Sequence, residues 1–217
     1  MPLRVPRTQL LTNYLIPQSE LLCKVRIAID SGICCVQYRS PRTEDCFEQA
    51  RMFAELCSST NTQFIVNDHV DVASVLNQRG FQAGVWLGQR DMSVLEARKI
   101  LGNDVFIGLS VNCCEEAKQA NTLPINAIAA NGVFECVSNP HAQTMGIEGL
   151  MNIISLSNHP VIAIGGIAEH NLQAILETGV DGVAISGAIL RAADIENTTK
   201  CIVELCGIIS ESLCQKQ

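Results

Sequence analysis

A single closed (β/α)8 barrel of the TIM type, spanning residues 1–217, is the fold this sequence predicts, on three observations. Eight short apolar runs of strand character alternate with eight segments of helical spacing, which is the signature of a parallel sheet. A length of 217 residues suits one such barrel and one sizeable core. No glycine-rich fingerprint follows the first strand, where an open doubly wound sheet would carry it.

The elements follow in order. Leu10 to Leu15 is a weak first strand, interrupted by Thr12-Asn13. Ser19 caps a helix running to about Ile29, and Gly32 to Tyr38 is the second strand. Thr43 to Ser58 is helical because Phe47, Ala50, Phe53, Ala54 and Cys57 fall on one face. Phe64 to Val66, Val70 to Gln78 and Ala83 to Leu87 form strand, helix and strand. Ser93 caps a helix to Leu101; Val105 to Leu109 is the fifth strand; Glu115-Glu116 open a short helix; Ile125 to Ala130 is the sixth strand. A long polar segment, 131–146, is a candidate lid. Ile147 to Leu156 is helical, Val161 to Ile164 is the seventh strand, and Glu169 to Glu177 is helical. Gly182 to Ile185 is the eighth strand, and Glu196 to Leu213 is a closing helix.

Composition narrows the function. The chain is 47% hydrophobic and 17% charged, which excludes disorder. A net charge of -7 without a basic block argues against a nucleic-acid surface. No apolar stretch reaches membrane-spanning length, and the start, MPLRVPRTQ, is too short and polar for a secretion signal. The eleven cysteines include no Cys-x-x-Cys pair. They read as small, mostly buried hydrophobes in a reducing cytoplasm. The expected partners are small phosphorylated molecules, and homo-oligomerisation is left open. An acidic protein with such ligands needs a local cation from arginine, metal or backbone amides.

In a barrel the chemistry sits where the strands end. The third and fourth strands point the same way, so Asp68 and Asp91 emerge side by side at that edge, next to Asn67. Two carboxylates there can hold Mg²⁺, which takes oxygen ligands plus phosphate and water. The competing reading is that Asn67-Asp68 and Asp91 cap the helices that follow. Arg39 ends the second strand and suits bidentate phosphate binding, with a surface salt bridge as the alternative. Gly165-Gly166 ends the seventh strand, where barrels often bind phosphate, although a tight turn needs glycine too.

Five short motifs then occur in order. They are Gln37-Tyr38-Arg39, Asn67-Asp68-His69-Val70-Asp71, Leu87-Gly88-Gln89-Arg90-Asp91, Gly108-Leu109-Ser110-Val111 with Glu115-Glu116-Ala117, and Ala163-Ile164-Gly165-Gly166-Ile167. The chain resembles the thiamine-phosphate synthase family from about residue 30 to residue 190. The resemblance implies a Mg²⁺-dependent transferase that joins hydroxymethylpyrimidine diphosphate to a thiazole phosphate and releases pyrophosphate. It implies Gln37, Arg39, Asn67, Ser110 and Asn139 at the pyrimidine diphosphate, with Arg39 and Ser110 at the reacting centre. It places Asp68 and Asp91 on the metal, and Cys136, Val137, Ser138, Gly166 and Ser186 or Gly187 at the thiazole phosphate.

The family pattern is not complete. Pro41 and Asn139 stand where the family has lysines, and Trp86 and Asn112 stand where it has histidines. Arg42 and Arg90 are candidates to replace the lost charge. A sister family, the thiazole tautomerases, shares the barrel and some motifs. An isomerase reading would use His141 or Glu135 for proton transfer. A third reading is a barrel that binds a phosphorylated ligand without turnover.

Overall fold

In the computed structural model, eight parallel strands close on themselves in chain order. The structure describes residues 5–41, 45–60, 62–135 and 144–214, with backbone alone over 208–214. The strands are β1 (Thr8–Leu11), β2 (Cys35–Tyr38), β3 (Gln63–Asn67), β4 (Ala83–Leu87), β5 (Ile107–Val111), β6 (Ala127–Asn131), β7 (Val161–Ile164) and β8 (Gly182–Ile185). Between and after them come α1 (Gln18–Asp30), α2 (Cys46–Ser58), α3 (Val70–Gln78), α4 (Val94–Leu101), α5 (Cys114–Ala120), α6 (Gly146–Leu156), α7 (Glu169–Leu176), α8 (Gly187–Leu190) and α9 (Ile195–Cys214). The barrel closes where Gln9 of β1 lies beside Ala184 of β8. This is the (β/α)8 barrel expected from the alternation.

Strand residues alternate between two apolar layers, because successive side chains point to opposite faces. On β6, Ile128 and Ala130 face the helices, whereas Ala127 and Ala129 face the barrel interior. On β4, Val85 and Leu87 face out and Trp86 faces in. The interior layer mixes Trp86, Phe106 and Ile162 with the small residues Cys35, Ala127, Ala129 and Ala184. That mixture leaves room above it for a cavity. Gly108 permits it on one side, since a Cβ there would lie 2.5 Å from the Trp86 ring.

Several boundaries differ from expectation for local reasons. β1 runs Thr8–Leu11, not Leu10 to Leu15. The Asn13 side chain accepts the Leu15 N–H and its carbonyl accepts the Ile16 N–H, so 13–16 turns away from the sheet. β2 starts at Cys35, because Gly32, at φ 107, and Ile33 donate back into the end of α1. β5 starts at Ile107, and Asn126 accepts its N–H while bonding Arg98. The short α8 was not anticipated; four residues are too few to show a readable period. The nine described cysteines are all free, but Cys23, Cys34 and Cys113 are exposed, so burial does not account for them.

Candidate active site

At the carboxyl ends of the strands a cavity of about 270 Å³ opens into the barrel. β2 supplies Gln37 from its interior face and Arg39 from the rim just beyond its end. Gln37 is buried, whereas Arg39 is exposed. The backbone of Arg39 is fixed by buried Thr12, whose hydroxyl accepts its N–H at 2.8 Å and donates to its carbonyl at 3.3 Å. The guanidinium is thus carried on a rigid base. It also borders a second recess of about 240 Å³ between Tyr14 and Phe53.

Asn67 and Asp68 follow on β3, and Asp91 follows β4 across the mouth. Asp68 has φ 65 and is the one non-glycine residue in the left-handed region among the described residues. Such strain tends to collect at functional sites. The cap reading fails for both aspartates. The N-cap of α3 is His69, and Ser93 caps α4 by accepting the Glu96 N–H. Asp91 instead accepts the Gly88 N–H at 2.7 Å within its own turn.

The two carboxyl groups lie within hydrogen-bonding reach of each other. Protein crowds Asp68 on one side while solvent reaches it on the other. Its carboxyl is pushed up to about 6, first by desolvation and then by the hydrogen bond and charge of Asp91, against the opposing pull of Asn67 and Arg39. An aspartate in an unfolded chain titrates near 3.9. Between these values the folded state binds the extra proton, so this pair favours folding at low pH and loses that contribution as pH rises through the window. The metal-free protein should therefore lose thermal stability between about pH 4 and 6, and Asp68→Asn should flatten that slope in scanning calorimetry.

Deeper in, Trp86 forms a wall and donates its indole N–H to the Ser110 hydroxyl at 3.2 Å. Ser110 lies within β5 rather than just after it, and its carbonyl accepts the Gln89 amide at 2.6 Å. Asn112 is held by Glu116 through its N–H and its amide, and it accepts from Asn131. Sequence reasoning missed Gln9, Asn131 and the Gln89–Ser110 contact, and it noted Trp86 only as a departure from the family pattern. Gln9 fell just before the strand expected from Leu10, so no pattern marked it. Cys136, Val137, Ser138 and Asn139 lie outside the described residues, as do Arg42 and His141.

A profile of the thiamine monophosphate synthase family matches residues 9–189. The chain belongs to that family. The thiamine-phosphate synthase of Clostridium perfringens (strain SM101 / Type A) is 36% identical over 193 residues, covering 88% of this chain and 91% of that protein. The one from Persephonella marina is 35% identical over 199 residues, covering 88% and 93%. Among solved structures, thiamine phosphate pyrophosphorylase from Pyrococcus furiosus superposes with a TM-score of 0.83 at 30% identity, covering 94% of this chain and 96% of that one. The 3-hexulose-6-phosphate synthase from Salmonella typhimurium, at 14% identity and a TM-score of 0.74, shares the fold alone.

Within this thiamine monophosphate synthase family member, Gly166 has φ 61, and a Cβ there would meet the Glu135 carbonyl at 2.3 Å. The glycine pair has the positive φ that a tight turn needs, and it lets the loop after β6 pass close by. The Gly166 carbonyl accepts from Asn171, while its N–H makes no hydrogen bond among the described residues. Ser186 precedes α8, and a Cβ on Gly187 would lie 2.3 Å from the Arg191 guanidinium. Arg191 therefore stands beside the β8 loop, a cation the sequence reading overlooked. Arg90 does not line the cavity, so it does not replace the missing lysine charge there.

Among the described residues, the charged groups lining the cavity are Arg39, Asp68 and Asp91. Their sum is negative when both acids ionise, which would repel a diphosphate. The residues present suit Mg²⁺: two carboxylates that already compete for one proton, the Asn67 amide beside them, and an open mouth for phosphate and water. Mg²⁺ should accordingly raise the melting temperature at about pH 7.5 and do so far less at about pH 5, as thermal shift can measure.

Proposed function

We propose that this chain is a Mg²⁺-dependent thiamine-phosphate synthase. It would take hydroxymethylpyrimidine diphosphate and a thiazole phosphate, with or without a carboxylate. The single observation that carries this reading is the order of groups down the cavity. A carboxylate pair and an arginine stand at the mouth, and an aromatic slot lies beneath them. A diphosphate fits the first layer and a planar ring the second. When bound, Mg²⁺ supplies positive charge at the diphosphate oxygens.

The chain's own residues do the rest. Arg39 binds and orients the diphosphate, so that charge developing on the leaving group is neutralised. Gln37, Asn67 and Ser110 hold the pyrimidine, and Trp86 keeps Ser110 in place and water out of the slot. The bond between the pyrimidine methylene and the diphosphate oxygen breaks, and pyrophosphate leaves. The thiazole nitrogen then bonds the methylene. No protein nucleophile is required. The carboxylated thiazole would lose CO2 as well. Gly166, Ser186 and Gly187, with Cys136, Val137 and Ser138, hold the thiazole phosphate. The site is proposed to work in the cytoplasm; no described helix is long and apolar enough to cross a membrane.

The isomerase reading finds less support. Asn112, which stands where the resemblance implies the tautomerases' catalytic histidine, is an amide tied to Glu116 and Asn131, and an amide cannot carry a proton between substrate atoms. Glu135 does not line the cavity. Purified protein given both substrates and Mg²⁺ should release thiamine phosphate and pyrophosphate in equal amounts. Well-folded protein at high concentration that makes neither would overturn the proposal, and ligand binding without turnover would select the non-catalytic barrel.

A further inference from the structure

We infer that Gln9, at the floor of the cavity, reads the edge of the substrate ring that points away from the diphosphate, and so sets ring specificity. This rests on the transferase reading above. Gln9 lies on β1, is 1% exposed and lines the cavity. Its amide nitrogen has no hydrogen-bond partner among the described residues. Among the described residues, the other buried side-chain polar atom without a partner is the Thr199 hydroxyl, on α9 in the outer layer. A buried donor left unpaired is costly, and such groups call for an explanation in what the site binds.

Strand register gives the depth. Leu11 of β1 pairs with Gln37, while Gln9 pairs with Cys35, two residues further from the mouth. Because the strands tilt in the barrel, Gln9 lies one interior layer below Gln37, nearer the floor. Arg39 stands above Gln37 on the same chain segment. A ligand anchored at Arg39 by its diphosphate therefore places its ring beside Gln37 and Trp86, with the far edge toward Gln9. Ala129 and Ala184, which line the cavity with it, are small and offer no acceptor side chain. A bound ligand can supply the missing partner. The far edge of a pyrimidine carries ring nitrogens that accept hydrogen bonds, whereas the corresponding edge of a benzene ring does not.

The test is calorimetric binding, with Mg²⁺, of the pyrimidine diphosphate and of its two analogues in which one far-edge ring nitrogen is replaced by CH. Wild-type protein should bind one analogue at least ~10-fold more weakly than the parent, because the site then keeps its donor unpaired. Gln9→Leu should bind parent and analogues alike, and Gln9→Met supplies the same comparison with side-chain length preserved. Thiazole-phosphate affinity should not change, and thermal stability should hold or rise once the orphan amide is gone. Wild-type protein that binds both analogues as tightly as the parent overturns the inference. So does a Gln9 variant that keeps the wild-type discrimination, which would mark a structural amide. Wild-type protein with no affinity for the parent overturns the transferase reading and this inference together, a result distinguishable from lost discrimination alone.

Discussion

Asp68→Ala and Asp91→Ala should each lower kcat/KM for transfer by at least ~100-fold, about 2.7 kcal/mol of transition-state stabilisation. Each should also remove the Mg²⁺-dependent rise in melting temperature, and neither should weaken thiazole-phosphate binding. The physical reason is the charge at the mouth. One arginine faces two carboxylates there, and the proposed Mg²⁺ would neutralise them for an entering diphosphate. Stability should separate the two variants. Asp91→Ala deletes the acceptor of the Gly88 N–H and should cost about 1 kcal/mol. Asp68→Ala removes a repelled carboxyl but places alanine at φ 65. Asp68→Asn avoids that strain because asparagine tolerates the left-handed region, so it should be inactive yet no less stable at neutral pH. Equal activity of all three variants in metal-free buffer would sink the metal assignment.

The same pair shows what a sequence can carry. Strand direction put Asp68 and Asp91 on one edge, and the structure brings their carboxyls into contact. What the sequence left open was whether they served the helices behind them. That depended on where the helices start, a matter of one or two residues at each end. Ser93 was readable as a cap, since its hydroxyl precedes an acidic first turn. His69 was not, because it caps without any side-chain bond. The barrel itself was legible because alternation repeats through the chain and local errors do not propagate. Gln9 was not, because its importance lies in a partner it lacks, and an absent hydrogen bond leaves no pattern in sequence. Half of the 131–146 lid reading, residues 136–143, falls outside those described, and Gly132 to Phe134 are bonded to the end of β7 rather than lying free.

Arg39→Ala should lower kcat/KM for the diphosphate substrate by roughly 10²- to 10³-fold, the scale seen when one preorganised group at a developing charge is removed. Arg39 is the one cationic side chain that lines the cavity among the described residues, and the nearby family lysine is Pro41 here. No other described residue lining that wall carries a positive charge. Arg39→Lys keeps the charge but loses the planar fork that grips two phosphate oxygens, so the loss should be smaller, about 10-fold. Because Thr12 fixes the Arg39 backbone rather than its side chain, both variants should fold with unchanged stability. Pro41→Lys in the Arg39→Ala background tests charge against geometry. Partial recovery of diphosphate affinity would show that the mouth is short of positive charge. No recovery, with Arg39→Lys as poor as Arg39→Ala, would show that the fork matters more. If Arg39→Ala turns over at the wild-type rate at low diphosphate concentration, the leaving group is held elsewhere and the orientation proposed for the substrate is wrong.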